Sequence, residues 1–279
     1  MIDEQIEENQ VQRIKLHVVS TTDNRQAGIN HKRSLKYPHV TWGALRYPEC
    51  AVVGGGPSLE RSLPVLREWQ GDIFAINDTA KYLSDNGIHC YIYAIDGTTI
   101  PYRIGMLVKG ALFATRVHKI QFAQMKGREI RVFTMAEEGP GIAGGPTAAC
   151  RTPHLLLSMG YRGITYFGLD GSFEGDTTHI SGKSLSAHDN MLIIRVNDID
   201  YVSHSGFMLQ NEWMVEAFNK YPEFLHNASG GLFTAMLENP YTWSVIAIAE
   251  DLKRKYEEKG SYIWTKPYRG GYTWQPQAT

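Results

Sequence analysis

Gly54, Gly55 and Gly56, followed by Pro57 and Ser58, stand between a short apolar run and an amphipathic segment. Glycines let the backbone turn with no Cβ in the way, proline fixes φ near the helical value, and serine offers a hydroxyl. A turn of this kind, between strand and helix, aims amide N–H groups and the positive end of a helix dipole at one point. That suits a phosphate; the other reading is a tight turn with no ligand. The pattern is neither G-x-G-x-x-G nor a Walker loop, because no Gly-Lys-Ser/Thr follows. Gly144, Gly145 and Thr147 make a second small-residue turn ahead of a helix. Asn77 donates and accepts, which suits a nucleobase or a sugar, and Asp96 and Asp170 offer carboxylates to a ribose hydroxyl or a metal ion. Each of these three is equally an ordinary cap or turn residue. His204, just before a predicted helix, and His179, after Thr177 and Thr178, are the candidates for proton transfer near neutral pH. His188 reads as a surface residue and His154 as a packing one.

The elements that must position these residues alternate along the chain. Strands are expected at 50–53, 72–76, 90–95, 111–115, 129–134 and 163–168, with helices between most of them. The pattern predicts an α/β fold: a Rossmann-like parallel sheet flanked by helices. Ligands of such sheets gather beyond the carboxyl ends of the strands. The residues singled out above fall at those ends: 54–58, Asn77, Asp96, 144–147 and Asp170. That recurrence carries more weight than any single motif.

Beyond Asp170 the pattern changes. Residues 172–190 read as a lid-like binding loop, and 191–196 with 199–202 as a hairpin around Asn197 and Asp198. A helix to Lys220, a strand at 224–228, a helix opened by Ser229-Gly230-Gly231 and a final helix over 241–259 complete the helical C-terminal part. The domains expected are an N-terminal extension (1–49), a nucleotide-binding transferase domain (50–240) and a C-terminal helix with an aromatic tail (241–279). In the extension, 2–14 hints at a polar helix and 21–28 reads as a loop. The aromatic tail packs on its own domain or on a second copy, so a homo-oligomer through the two extensions is an expectation.

Composition sets further bounds. Hydrophobic residues make up 43% of the chain, enough for a packed core, and a net charge of −1 gives no broad pull toward nucleic acid or anionic membrane. Cys50, Cys90 and Cys150 lack C-x-x-C spacing and read as buried thiols, and neither a signal peptide nor a membrane-spanning run is read. The expectation is a soluble, cytoplasmic protein.

Taken in order, Val52-Val-Gly-Gly-Gly-Pro-Ser-Leu59, the strand ending at Asp96, Gly144-Gly-Pro-Thr147, Phe167-Gly-Leu-Asp170 with Thr178-His179, and Asn227-Ala-Ser-Gly-Gly231 resemble the 6-hydroxymethylpterin diphosphokinase-like family. That family includes motility accessory factors that glycosylate flagellins, and is similar in fold to compact bacterial sialyltransferases. The resemblance implies a transferase, first of all a glycosyltransferase with a nucleotide-sugar donor and an unspecified acceptor, in which His204, of the His204-Ser205 pair, is the general base. The motif asparagine of the sialyltransferases is replaced by Gly55, and their tyrosine pair has no counterpart between Gly171 and Asn190. The alternative it implies is Mg²⁺-dependent diphosphate transfer from ATP, with Asp96 and Asp170 on the metal; the Asp-x-Asp of such enzymes is here a single carboxylate, Asp96. A third reading is a nucleotide-binding protein without turnover.

Overall fold

The computed structural model describes residues 24–41, 49–174, 191–240 and 242–248, together with two short strands at 262–265 and 273–276. Mainly apolar runs make the central strands, apart from the short edge strand Leu225-His226-Asn227. In chain order these are β1 (Glu49–Val53), β2 (Asp72–Ile76), β3 (Cys90–Ala94), β4 (Val108–Ala114), β5 (Glu129–Phe133), β6 (Gly163–Phe167) and β9 (Leu225–Asn227). They form one seven-stranded sheet in the order β5-β4-β3-β2-β1-β6-β9, and every neighbouring pair is parallel. Strands buried on both faces read as continuous apolar runs, and Cys50 to Val53 are fully buried. The order reverses at β1, whose neighbours are β2 and β6, and this is the switch point where such sheets open a crevice.

Helices α2 (Leu59–Arg67), α3 (Thr79–Asp85), α4 (Lys119–Gln124), α5 (Ala148–Met159), α6 (Ser205–Lys220) and α7 (Gly231–Glu238) connect or follow the strands. In α2 the apolar face is Leu59, Leu63 and Leu66, all buried at helical spacing. No helix among the described residues is long and apolar enough to cross a membrane.

At the amino-terminal end of the sheet, Tyr161 donates its hydroxyl hydrogen to Asp72, and its ring meets Phe74 edge-on. Burial, and then the Asp72 hydrogen bond, hold the Tyr161 phenol well above its ordinary pKa. Tyr161→Phe should therefore cost about 1.5–3 kcal/mol in a urea melt, the range for a hydrogen bond to a charged group, with the sheet unchanged.

The structure departs from the sequence reading in two places. Residues 21–28 read as a loop, yet a helix, α1 (Asn24–Ser34), begins inside them. This helix has little apolar surface and is held by polar anchors. Asn30 donates to the Arg116 carbonyl and Ser34 to the Thr115 carbonyl, and both side chains are buried. Beyond it, Val40 donates to the Val132 carbonyl and a bridge joins His39 to Val132, so this part of the extension covers the β5 edge. The second departure lies in the expected final helix, where Trp243–Ile248 is a strand, β10. Trp243 and Val245 are half-buried while Ser244 and Ile246 are exposed, a two-residue period that suits a sheet face.

The hairpin is where it was expected: β7 (Met191–Val196) and β8 (Ile199–His204) turn at Asn197, which takes a left-handed conformation. With β10 they make a separate three-stranded sheet over a small core of Leu192, Ile194, Val196, Tyr201, Met208, Leu232 and Met236. Strands β11 (Tyr262–Thr265) and β12 (Thr273–Pro276) pair with each other. The rest of the lid-like loop, with His179 and His188, lies outside the described residues, as does most of the aromatic tail.

Candidate functional site

At the carboxyl ends of β1, β2, β3 and β6 lies a cleft of about 870 Å³. It is lined by the glycine turn after β1, Asn77 after β2, Asp96 after β3, the start of α5 and the turn after β6. Gly54, Gly55, Gly56, Asn77, Asp96, Thr147 and Asp170 all reach it, so loops far apart in sequence converge where the strand-end pattern placed them.

The glycine turn is built differently from an open anion nest. The Gly54 amide donates to the Phe167 carbonyl and the Gly56 amide to the Gly168 carbonyl, each at 2.8 Å. A Cβ on Gly54 would lie 2.6 Å from the Gly168 oxygen, and one on Gly56 2.7 Å from it. The two turns thus pack backbone on backbone, and glycine is required for that approach. Gly55 has an amide with no hydrogen-bond partner among the described residues. Ser58 is buried away from the cleft.

Asp170, expected to offer its carboxylate to a ribose hydroxyl or a metal ion, is engaged within the fold. One carboxylate oxygen accepts from the Ser58 amide at 2.6 Å; the other accepts from the Ser58 hydroxyl and, at 2.9 Å, from the Gly230 amide. Asp170 is 3% exposed. Burial pushes its carboxyl above the ordinary value, and the donors from Ser58 and Gly230 pull it back only in part. The same region is latched by the Leu169 amide donating to the Ser229 hydroxyl and the Leu232 amide to the Ser172 hydroxyl. The Asn227-to-Gly231 motif is therefore a fastener of the β6 turn.

Asn77 is in the left-handed region at φ 51°, uncommon for a residue with a side chain. Its amide donates to the Tyr93 carbonyl at 3.0 Å and its Nδ2 to Asp96 at 3.4 Å, while its Oδ1 is buried with no partner among the described residues. Strain with an unsatisfied acceptor at a cleft wall is the kind of local cost that binding sites carry. Asp78 also lines the cleft, and its carboxylate accepts from the Arg103 amide. The buried Tyr102 hydroxyl has no partner among the described residues, and its phenol is pushed far up by burial, then by Asp96 and Asp78. Both carboxylates therefore bear on one corner.

Thr147 caps α5 with extended backbone, and Ala148 and Ala149 line the cleft. Gly144 and Gly145 stay behind this surface. A Cβ on the first would meet Arg151 at 2.7 Å and on the second Trp213 at 2.7 Å, so packing explains both. Arg151 holds the preceding loop through two bonds to Glu137 and one to the Ile142 carbonyl.

His204 is placed beside the cleft and does not line it. It is the N-cap of α6: its Nδ1 accepts from the Gly206 and Phe207 amides at 3.1 and 3.3 Å. The ring stacks on Phe207, which does line the cleft, at 3.9 Å between centroids.

The sequence reading missed Gln26, Asp78, the segment from Thr98 to Tyr102, Phe207 and Gln210, all of which line the cleft. A signal existed for the last two: Phe207, Gln210 and Asn211 share one helical face, and a buried Gln-Asn pair among Met208, Met214 and Phe218 is unusual.

A sequence model described as 6-hydroxymethylpterin diphosphokinase MptE-like matches residues 30–176. Among solved structures the chain is similar to the MAf glycosyltransferase from Magnetospirillum magneticum AMB-1, with a TM-score of 0.54 and 15% identity over 74% of this chain. The match spans 35% of that protein, so the chain corresponds to about a third of its length, and the likeness is one of fold. No curated protein matches the chain.

Proposed function

The chain belongs to the 6-hydroxymethylpterin diphosphokinase MptE-like family, and from that premise we propose that it is a transferase whose cleft takes a nucleotide-linked donor, with glycosyl transfer as the reaction. The observation that carries this reading is the convergence of Gly55, Asn77, Asp96 and the α5 N-terminus on one cleft at the sheet's switch point. Helix amides would meet the donor's phosphate, and Asn77 its base or sugar. The name of the MAf glycosyltransferase, a fold neighbour, supports glycosyl transfer. So does the engagement of Asp170, which takes one of the two expected carboxylates away from a metal.

The base role expected for His204 enters here in restricted form. With Nδ1 accepting two amides, a neutral ring carries its proton on Nε2. Removing a proton from an acceptor hydroxyl would require release of the cap. We assign the cap as the resting role of His204.

One observation favours a second reading, diphosphate transfer. Asp96 and Asp78, with the unpartnered Asn77 Oδ1, offer oxygen donors suited to Mg²⁺, which commonly takes one or two carboxylates plus substrate phosphates. Asp96 and Asp78 would hold the ion in place of the expected Asp96 and Asp170. The ion would neutralise charge on the transferring phosphate.

Thermal-shift titration with CMP, UDP, GDP and ATP, each with and without Mg²⁺, tests both. Stabilisation by a pyrimidine or guanosine nucleotide without Mg²⁺ is the result expected for glycosyl transfer, and a response confined to ATP with Mg²⁺ would move the assignment to diphosphate transfer. Asn77→Gly relieves the left-handed strain and removes the side chain. It should leave the unliganded melting temperature unchanged or higher while weakening the best nucleotide about tenfold. Silence from all four nucleotides would defeat both readings.

A further inference from the structure

We propose that Gln210 is a ligand-contacting residue of this cleft: its Nε2 donates to a phosphate oxygen seated at the N-terminus of α5. The inference rests on the cleft being the donor site, and it adds a residue that lies outside the sequence motifs and beyond the matched segment.

α5 has twelve residues, and its first amides lack intrahelical partners, as at any helix start. Thr147, the N-cap, does not cap with its side chain; its Oγ1 donates outward to Gln210 Oε1 at 2.9 Å. That bond orients the Gln210 amide, because the oxygen turned to Thr147 leaves Nε2 on the other side. Gln210 lines the cleft, is only 8% exposed, and its Nε2 has no partner among the described residues. Most of the side chain is packed while Nε2 itself keeps access to the cleft, where a ligand or water can pair with it. The backbone around it is fixed as well: the Cys150 thiol contacts the Gln210 carbonyl at 3.8 Å, and Trp213, one turn on, packs against Gly145. α6 thus delivers a neutral, oriented N–H donor to the place where α5 presents its own amides and positive dipole. Donors of both kinds suit an anionic oxygen.

Two substitutions test this. Gln210→Glu keeps the oxygen that Thr147 needs and puts a carboxylate oxygen where the N–H was, so the variant's own anion occupies the seat. The unliganded protein should melt within a few degrees of wild type or above it, since the helix dipole favours the new charge. Inorganic pyrophosphate in Mg²⁺-free buffer, followed by calorimetry, should lose affinity about tenfold or more. Gln210→Met, which keeps the size and loses the donor, should lose about three- to tenfold. The best nucleotide from the panel should weaken in parallel, while its parent nucleoside keeps its affinity. Pyrophosphate bound equally by wild type and Gln210→Glu would overturn the proposal and leave the donor cleft standing. Equal losses for nucleotide and nucleoside would overturn the phosphate contact. A wild-type protein that binds neither pyrophosphate nor any nucleotide would overturn the cleft reading and this inference together.

Discussion

Asp170→Ala should lower the thermal midpoint by on the order of 10 °C, corresponding to roughly 3–5 kcal/mol in a chain of this size. The carboxylate is the common acceptor for the Ser58 amide, the Ser58 hydroxyl and the Gly230 amide. Its removal leaves buried donors unpaired, and an unpaired buried donor costs about 1–3 kcal/mol. It also unfastens the β1 turn from the start of α7, so ligand affinity should fall with stability. Asp170→Asn, which keeps one acceptor oxygen, should lose less than half as much. The two variants separate a brace from a metal ligand: a brace shows its loss in the unliganded protein.

The pH dependence of the same residue has a definite sign. Burial raises the folded-state value above that of the unfolded chain. Between those two values the folded protein holds the proton more tightly, so stability falls as pH rises through this window and is level above it. The Asp170→Asn protein should lack that component when denaturant melts are compared from mildly acidic to neutral pH. An unchanged profile would place the titration elsewhere.

Gly168→Ala should be nearly as damaging, at about 3 kcal/mol or more. Gly168 holds φ +62°, which costs a side-chain-bearing residue about 1 kcal/mol, and its Cβ would run into the Gly54 oxygen. The obstacle is backbone, pinned on both sides by strands β1 and β6, so relief requires parting the turns that form the cleft floor. Gly87 is the control. It has φ +79° with nothing within 4 Å of where a methyl would stand, so Gly87→Ala should cost only the strain, about 1 kcal/mol. Chemical denaturation of the pair should differ by about 2 kcal/mol or more; equal losses would mean that the β1–β6 contact yields easily.

The parallel sheet was legible because its inner strands are short, mainly apolar runs ended by polar or small residues, a local pattern that follows from burial on both faces. Its strand ends located Asn77, Asp96 and Asp170 correctly on one side of the sheet. The helix at 24–34 was not legible, since its anchors are side-chain bonds to carbonyls at 115 and 116, some eighty residues away. The strand at 243–248 was misread as helix because an apolar stretch of that length suits either state until a partner such as β7 is present.

Within the site, residue types by themselves determined that glycines, an asparagine and carboxylates would gather at strand ends, because those ends must turn and face solvent. What only the tertiary structure decided is which of them are spent on the fold. Gly54, Gly56, Gly144 and Gly145 are small for close packing, and Asp170 is consumed by Ser58 and Gly230. Gln210 and Asp78 are brought to the cleft by helix and strand placement. A hydrogen bond can be made to any residue the chain folds beside, and sequence spacing carries no record of that choice.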